Sequence, residues 1–183
     1  MTDLTSRTDA PTTWTGTEIA QKSSEIARIV AQLQSESTDS DMLLRLFTKA
    51  AAEAIGSDYA SITIVTEGRI ETPVMIGEIA AQSDALQQEL GEGPCIRSAT
   101  DDTTIWIDDM RRETRWPTFC AAAADLGIGS MACFCLYIAG EERGALNLHS
   151  TTPFAFDDET CSLAELFAAH CATTFGAVRE KEQ

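Results

Sequence analysis

Two short segments carry most of the side chains that could do chemistry. In the first, Cys133 and Cys135 alternate with apolar residues, so a strand would put both thiols on one face. In the second, Asn147 and His149 alternate with leucines in the same way. If the segments pair as a hairpin, the four side chains line one side of a sheet and can orient a small molecule. The alternative is that the thiols fill space as small hydrophobic groups.

A glycine-rich turn precedes another cysteine, Cys95. Gly91 and Gly93 permit positive φ, and Pro94 suits the first turn of a helix over about 95–99. Free amides at that helix start could bind an anion or polarise the Cys95 thiol. A Gly-x-Gly pair without a phosphate-loop lysine is no nucleotide signature. The turn is therefore a structural marker that indicates no particular chemistry.

Metal binding and acid–base catalysis find little support. Zinc or haem would accept Cys120, Cys133, Cys135 and His149, but Cys-x-Cys on a strand lacks the spacing of a zinc knuckle. His170 lies among apolar residues of the last helix, which is typical of a packed histidine. With only these two histidines, most general-base schemes have no candidate. We therefore predict no metal site and no catalytic residue.

The elements that would position these side chains form an α+β domain. The apolar faces of the two strands in the hairpin are expected to pack under helices from both ends of the chain. The patterns predict helices at about 17–34, 83–89, 95–99, 116–126 and 157–179, and a further helix between caps at 37–41 and Gly56. They predict strands at 59–65, 69–76, 103–107, 130–138 and 143–150, with hairpin turns at 67–68 and 140–142.

The first helix has a heptad-like stripe. Ile19, Ile26 and Leu33 recur every seven residues, with Ile29 beside them. The stripe predicts a dimerisation helix over residues 17–36, so we expect a homodimer. The alternative is a helix that lies on its own domain's sheet.

Composition excludes several classes of function. The net charge is −16, and no cluster of Lys and Arg could neutralise nucleic-acid phosphates or bind an anionic membrane. No apolar run approaches the roughly 18 to 20 residues that span a bilayer, and the first residues lack signal-peptide features. We expect a cytoplasmic protein with six free thiols and a disordered tail at 1–16.

The order of short motifs resembles that of a GAF domain. The motifs are LGEGPC at 90–95, TIWIDD at 104–109, TRWPTF at 114–119, GALNLH at 144–149 and FAFDDE at 154–159. The resemblance is strongest to the GAF half of actinobacterial GAF–ANTAR transcription antiterminators. It implies a GAF domain over 39–179, with a PAS-like antiparallel sheet that carries the terminal helices on one face and a ligand pocket on the other.

The resemblance also implies a regulatory function. A small ligand of unknown identity, or a redox event, would shift the packing of the dimer helices; any cofactor is unknown. In the antiterminators an RNA-binding ANTAR module would follow Val178, and the sequence ends at Gln183. Either the output module is missing from this sequence by truncation, or the protein acts on a protein partner. The expected pocket residues are Cys95, Asp108, Trp116, Cys120, Cys133, Cys135, Asn147 and His149.

Two alternatives remain. Cys95 and Cys120 are similar in position to two redox cysteines of free methionine-(R)-sulfoxide reductases, which are GAF-fold enzymes. In that family the residue corresponding to Cys120 attacks the sulfoxide. A third family cysteine falls near Ala85 here, and Asn147 and His149 replace the carboxylates that would hold the substrate's ammonium group. The second alternative is an interaction module with a vestigial pocket.

Overall fold

A computed structural model describes residues 15–36, 39–66, 69–139 and 142–182 of the chain. Five antiparallel strands form one sheet in the order β2-β1-β5-β4-β3, and helices cover both faces. The helices are α1 (Gly16–Glu36), α2 (Ser40–Ile55), α3 (Glu78–Leu90), α4 (Pro94–Asp101), α5 (Pro117–Asp125) and α6 (Asp158–Glu182). The strands are β1 (Tyr59–Thr66), β2 (Arg69–Ile76), β3 (Ile105–Ile107), β4 (Ser130–Ala139) and β5 (Glu142–Ser150).

The predicted α+β fold is confirmed, and the differences concern boundaries. Helix α3 starts five residues before the predicted 83–89 segment, because Gly77, with φ 90°, ends β2 and the helix begins directly after it. Strand β3 is shorter than the predicted 103–107. The turns at 67–68 and 140–141, residues 1–14 and the side chains of Phe175 and Val178 lie outside the described residues.

Side-chain caps fix the starts of helices α1 and α2. The Asp39 carboxylate accepts a hydrogen bond from the Met42 amide at 2.8 Å, as the sequence predicted for α2. A capping box that was not predicted lies at the start of α1. There the Thr15 amide donates to the Glu18 carboxylate at 2.8 Å, and the Glu18 amide donates to the Thr15 hydroxyl at 3.3 Å. The helix therefore begins at Gly16, one residue earlier than predicted.

The sheet has a hydrophobic core on each face. The larger core lies between the sheet and helices α1, α2 and α6, and it contains the hairpin residues Ala132, Phe134, Leu136, Leu146 and Leu148. These belong to the apolar set expected under the terminal helices; the side chain of Ile138 lies outside the described residues. The smaller core lies on the opposite face, around α4 and α5. Both faces are thus covered, and the polar face of the hairpin is enclosed.

Helix α1 packs on its own domain. Ile26 is only 2% exposed within the larger core, and Ile29 and Leu33 pack against that core from its edge. Ile19 is 43% exposed. Three of the four stripe residues, Ile26, Ile29 and Leu33, therefore pack on the protomer itself, and Ile19 is the exposed one that can meet a second copy.

This division predicts different effects for two substitutions. Ile26→Ala should lower the free energy of unfolding by about 2 to 4 kcal/mol, because it opens a cavity in the core. Ile19→Glu should leave that free energy within about 0.5 kcal/mol and weaken self-association. Urea denaturation and sedimentation equilibrium measure the two effects. A dimer unaffected by Ile19→Glu would remove this end of α1 from the interface.

Within the described ranges, no helix combines the length and the apolar composition that crossing a bilayer requires.

Candidate ligand site

A row of polar and sulfur-bearing residues crosses the sheet on the face opposite the terminal helices. Strand pairing aligns Ser61 of β1 with Asn147 of β5, and Asn147 with Cys133 of β4. His149 lies on the same face, one row further along β5. Asn147, His149 and Ser61 are completely buried. The prediction that Cys133, Asn147 and His149 share an enclosed face agrees with this geometry.

The Asn147 amide is held in one orientation. Its Nδ2 donates to the hydroxyl oxygens of Ser61 at 3.1 Å and Thr63 at 2.9 Å. Its Oδ1 is buried and has no hydrogen-bond partner. Because both amide protons are used by β1, the carbonyl oxygen is left as a fixed, unused acceptor.

A buried carboxyl group from α3 closes over this row. Asp84 is 4% exposed, and burial raises its pKa to about 7, although hydrogen bonds from Ser61 and Cys95 oppose that rise. The Cys95 thiol lies 3.8 Å from its Oδ1, and its Oδ2 has no partner. Ser61 thus connects Asp84 to Asn147, and each of the two presents one unsatisfied acceptor.

The glycine turn brings Cys95 into the same cluster. Gln87 accepts a hydrogen bond from the Cys95 backbone amide at 2.8 Å, and its Nε2 donates to the Cys95 sulfur at 2.8 Å. The Cys133 sulfur lies 3.8 Å from the Cys95 sulfur. Burial raises the pKa of the Cys95 thiol well above its ordinary value. The turn therefore supplies a neutral thiol; the helix start does not activate it, since Gln87 already occupies its amide.

His149 is a neutral imidazole in this environment. Burial lowers its pKa to about 4, opposed by the Tyr59 backbone. Neither ring nitrogen makes a hydrogen bond of ordinary geometry. The ring therefore offers one N–H donor and one acceptor on the cluster's face of the sheet.

Three other predicted pocket residues lie in or next to the smaller core. Cys120 is buried in the smaller core, and Trp116 packs against that core with the Arg115 guanidinium 4.9 Å from its ring. Burial and the Glu113 charge raise the pKa of Cys120 to about 11. Asp108 is half-buried in the loop, where its carbonyl accepts a hydrogen bond from Phe154 at 2.7 Å. Cys120 and Trp116 thus belong to the core that also contains Cys95 and Cys133.

Cys135 lies away from the cluster. The pairing of β3 with β4 reaches only to Cys133, so Cys135 lies at the sheet edge. It borders an open groove of about 430 Å³ beside α6, and its sulfur is 3.6 Å from Asp102. Burial and the Asp102 charge raise its pKa to about 11. Strand alternation alone predicted a pocket position because it carries no information on where the neighbouring strand ends.

The polar cluster has nine members, and five of them were not predicted from the sequence. These five are Ser61, Thr63, Ser83, Asp84 and Gln87. The other four are Cys95, Cys133, Asn147 and His149. A signal was available for the five. Ser61 and Thr63 alternate with apolar residues on β1, and Asp84 and Gln87 lie one and two helical turns after Ala80. A polar stripe on a helix is ordinarily its solvated face, so the pattern alone favoured the wrong interpretation.

The groups that this cluster offers are hydrogen-bond donors and acceptors and thiols. In the part of the chain that the structure describes, no group of three His, Cys, Asp or Glu residues is arranged to hold a metal ion. All six cysteines are free. Among the described residues, six buried side-chain atoms lack partners, and five of them belong to Ser83, Asp84, Asn147 and His149. An unpartnered buried polar atom costs about 1 to 3 kcal/mol, and Asp84, Asn147 and His149 together carry four of these atoms.

An antiparallel sheet with terminal helices on one face and a polar cluster on the other is a PAS-like sensor architecture. The profile of the family described as GAF domain matches residues 37–175, so the chain belongs to the GAF domain family. No curated protein matches the sequence at a significant level.

Solved structures agree on the fold. A candidate GAF sensor protein from Burkholderia vietnamiensis is 18% identical with a TM-score of 0.63, over 97% of this chain and 99% of that one. The free methionine-R-sulfoxide reductase of Neisseria meningitidis, solved with its substrate, is 16% identical with a TM-score of 0.62, over 94% and 98%. The GAF domain of a candidate sensor histidine kinase from Pseudomonas syringae pv. tomato is 14% identical with a TM-score of 0.57, over 92% and 96%.

Proposed function

We propose that this GAF domain is a regulatory sensor that binds a small molecule in the polar cluster between the sheet and helices α3 and α4. The observation that carries the proposal is the set of unpartnered atoms on Asp84, Asn147 and His149, all on one enclosed face. A ligand that met them would offset their desolvation cost. The thiols, with raised pKa values at Cys95 and Cys120, favour ligand recognition over thiol chemistry.

The signal leaves through the helices on the other face. Strand β5 carries Asn147 towards α3 and α4, and its leucines pack in the core under the terminal helices. A shift of β5 would therefore alter how α1 and α6 pack on the sheet. We propose a cytoplasmic homodimer joined through these helices, acting in transcription regulation as in the GAF–ANTAR antiterminators, with the output delivered by a linked module or a protein partner.

Native mass spectrometry of the protein as purified tests the binding proposal. We expect a non-covalently bound small molecule that is released on denaturation. Asn147→Leu, which preserves volume but removes the amide, should abolish its retention, while Gln82→Leu on the exposed side of α3 should keep it. Retention of the same molecule by Asn147→Leu would place the binding site elsewhere.

The reductase alternative has one observation in its favour. Asn147 and His149 offer no carboxylate for a substrate's ammonium group, but α3 supplies a buried carboxyl group, Asp84. The environment of Cys120, the nucleophile that a reductase would need, is unfavourable. With a pKa of about 11, Cys120 would be a thiolate in only about one molecule in 10⁴ at pH 7. Its surroundings are also apolar.

We therefore expect no reduction of free methionine-(R)-sulfoxide above background. The assay uses a thioredoxin or glutaredoxin recycling system, and Cys120→Ser serves as the matched variant. Wild-type protein and variant should give the same background rate. Robust reduction that disappears in Cys120→Ser would make the protein a redox enzyme on a GAF scaffold.

A further inference from the structure

The polar cluster has a distinct balance of hydrogen-bonding groups. Its unpartnered atoms include two acceptors in fixed positions, Asp84 Oδ2 and Asn147 Oδ1. The Ser61 hydroxyl donates its proton to Asp84, so it can only accept from Asn147, which directs Asn147 Nδ2 towards Ser61 and leaves Oδ1 as the free acceptor. A guest that satisfies both acceptors must bring N–H or O–H donors.

The charge around these acceptors is negative or neutral. A narrow cleft between α3, α4 and the sheet leads to Asp84, and its lining residues include no lysine or arginine. Of those residues only Asp84 and Cys95 are titratable. Ionised Asp84 would therefore have no protein counter-ion in the cleft, whereas an anionic guest would meet a carboxylate and an amide oxygen without any compensating charge.

We infer that the cluster binds a small organic cation with N–H donors, an ammonium or amidinium group, with the Asp84 carboxylate as its counter-ion and Asn147 Oδ1 as a second acceptor. The inference rests on the proposed sensor function and specifies its ligand class. His149 lies on the same face and offers an N–H donor and an acceptor to the rest of the molecule. The cleft that leads to Asp84 is narrow, so the recognised group is small.

The titration of Asp84 agrees with this chemistry. Its pKa of about 7 means that the carboxyl group can ionise near neutral pH when a cation arrives. A charge-assisted hydrogen bond from the cation then replaces the proton. A buried carboxyl group without a counter-ion destabilises the empty cluster, and a bound cation removes that destabilisation.

Three probes of nearly identical shape test the inference. Acetamidinium, acetamide and acetate carry charges of +1, 0 and −1 on the same planar frame. Each is titrated into ¹⁵N-labelled protein, and the side-chain amide signals of Asn147 and Gln87 report binding. We expect acetamidinium to bind at least tenfold more tightly than acetamide, and acetate to give no shift. Because this comparison uses wild-type protein, it does not depend on the folding of any variant.

Two variants then assign the charge. Asp84→Asn keeps the shape of the side chain and should weaken acetamidinium binding at least tenfold. Glu89→Gln removes one charge from the exposed surface of the same helix and should leave binding unchanged. Equal weakening by both variants would indicate a general field effect and overturn the inference. So would unchanged binding to Asp84→Asn.

The outcomes separate the ligand class from the sensor proposal. If acetate or acetamide shifts the Asn147 signal as strongly as acetamidinium does, the cation class is wrong and the pocket stands. A second outcome would also overturn only the cation class and leave the sensor proposal standing: no probe binds, but native mass spectrometry finds a ligand that the Asn147→Leu variant loses. If neither a probe nor a purified ligand binds, both proposals fail.

Discussion

Asp84→Asn is expected to change how stability depends on pH and to raise the free energy of unfolding at pH 8 by about 4 kcal/mol. The pKa of Asp84 rises from 3.8 to about 7 on folding, roughly three pKa units at 1.36 kcal/mol each. Between these values the folded protein holds a proton that the unfolded chain releases. Stability from this group therefore falls as pH rises to about 7, and asparagine abolishes that loss.

His149 changes the free energy of unfolding with pH in the opposite direction. Its pKa falls from 6.5 to about 4 on folding, so the unfolded chain binds a proton that the folded protein does not. Stability from His149 therefore falls as pH drops from 6.5 towards 4. In the wild-type protein the two slopes cancel over roughly pH 4.5 to 6.5.

Single variants should expose each slope. From pH 4.5 to 6.5, Asp84→Asn should gain about 3 kcal/mol relative to the wild type, while His149→Asn should lose about 3 kcal/mol. Urea denaturation at a series of pH values measures both, with Glu89→Gln as the surface control. Asp58 and Glu113, whose pKa values are lowered, are common to all four proteins. Parallel profiles for the four proteins would show that neither buried group titrates as described.

The glycine turn provides the second large effect. Gly93→Ala should lower the free energy of unfolding by about 3 to 5 kcal/mol through backbone strain and displacement of Gln87. Gly93 has φ 150°, and a Cβ there would lie 2.3 Å from Gln87 Oε1 and 2.4 Å from Gln87 Cγ. Gln87 would have to leave the Cys95 amide, and the N-terminus of α4 would lose its partner.

Gly91→Ala is the matched control in the same turn. Gly91 also has positive φ, at 67°, but nothing lies within 4 Å of a Cβ placed there. Only the left-handed conformation opposes the substitution, at about 1 to 2 kcal/mol. Thermal or urea unfolding compares the two variants. Equal losses would show that Gln87 moves aside without cost and does not hold α4.

These two glycines illustrate what the sequence could predict. Positive φ at both positions followed from local sequence, because turn chemistry depends on neighbouring residues. The order of helices and strands and the faces of the β4–β5 hairpin were predictable for the same reason. The different consequences of substitution were not, since they depend on Gln87, which reaches the turn from α3.

The members of the polar cluster show the same limit more strongly. Asn147 and His149 were predictable because strand alternation fixes their face. Asp84 was not, because its burial depends on how α3 lies against β1, and no local pattern encodes that packing. Ile26 belongs to the same class: its spacing suggested an interface, and the fold of its own domain buries it.

A fragment screen observed on the protein tests the central claim, that the polar cluster is the ligand site, most directly. ¹H–¹⁵N spectra recorded with a small-fragment library should show binders whose shifts converge on Ser61, Thr63 and Asn147. Donor-rich cations should be the strongest among them. Binders that converge instead on the groove beside α6, near Phe134 and Ala168, or a library without any binder at Asn147, would contradict the account.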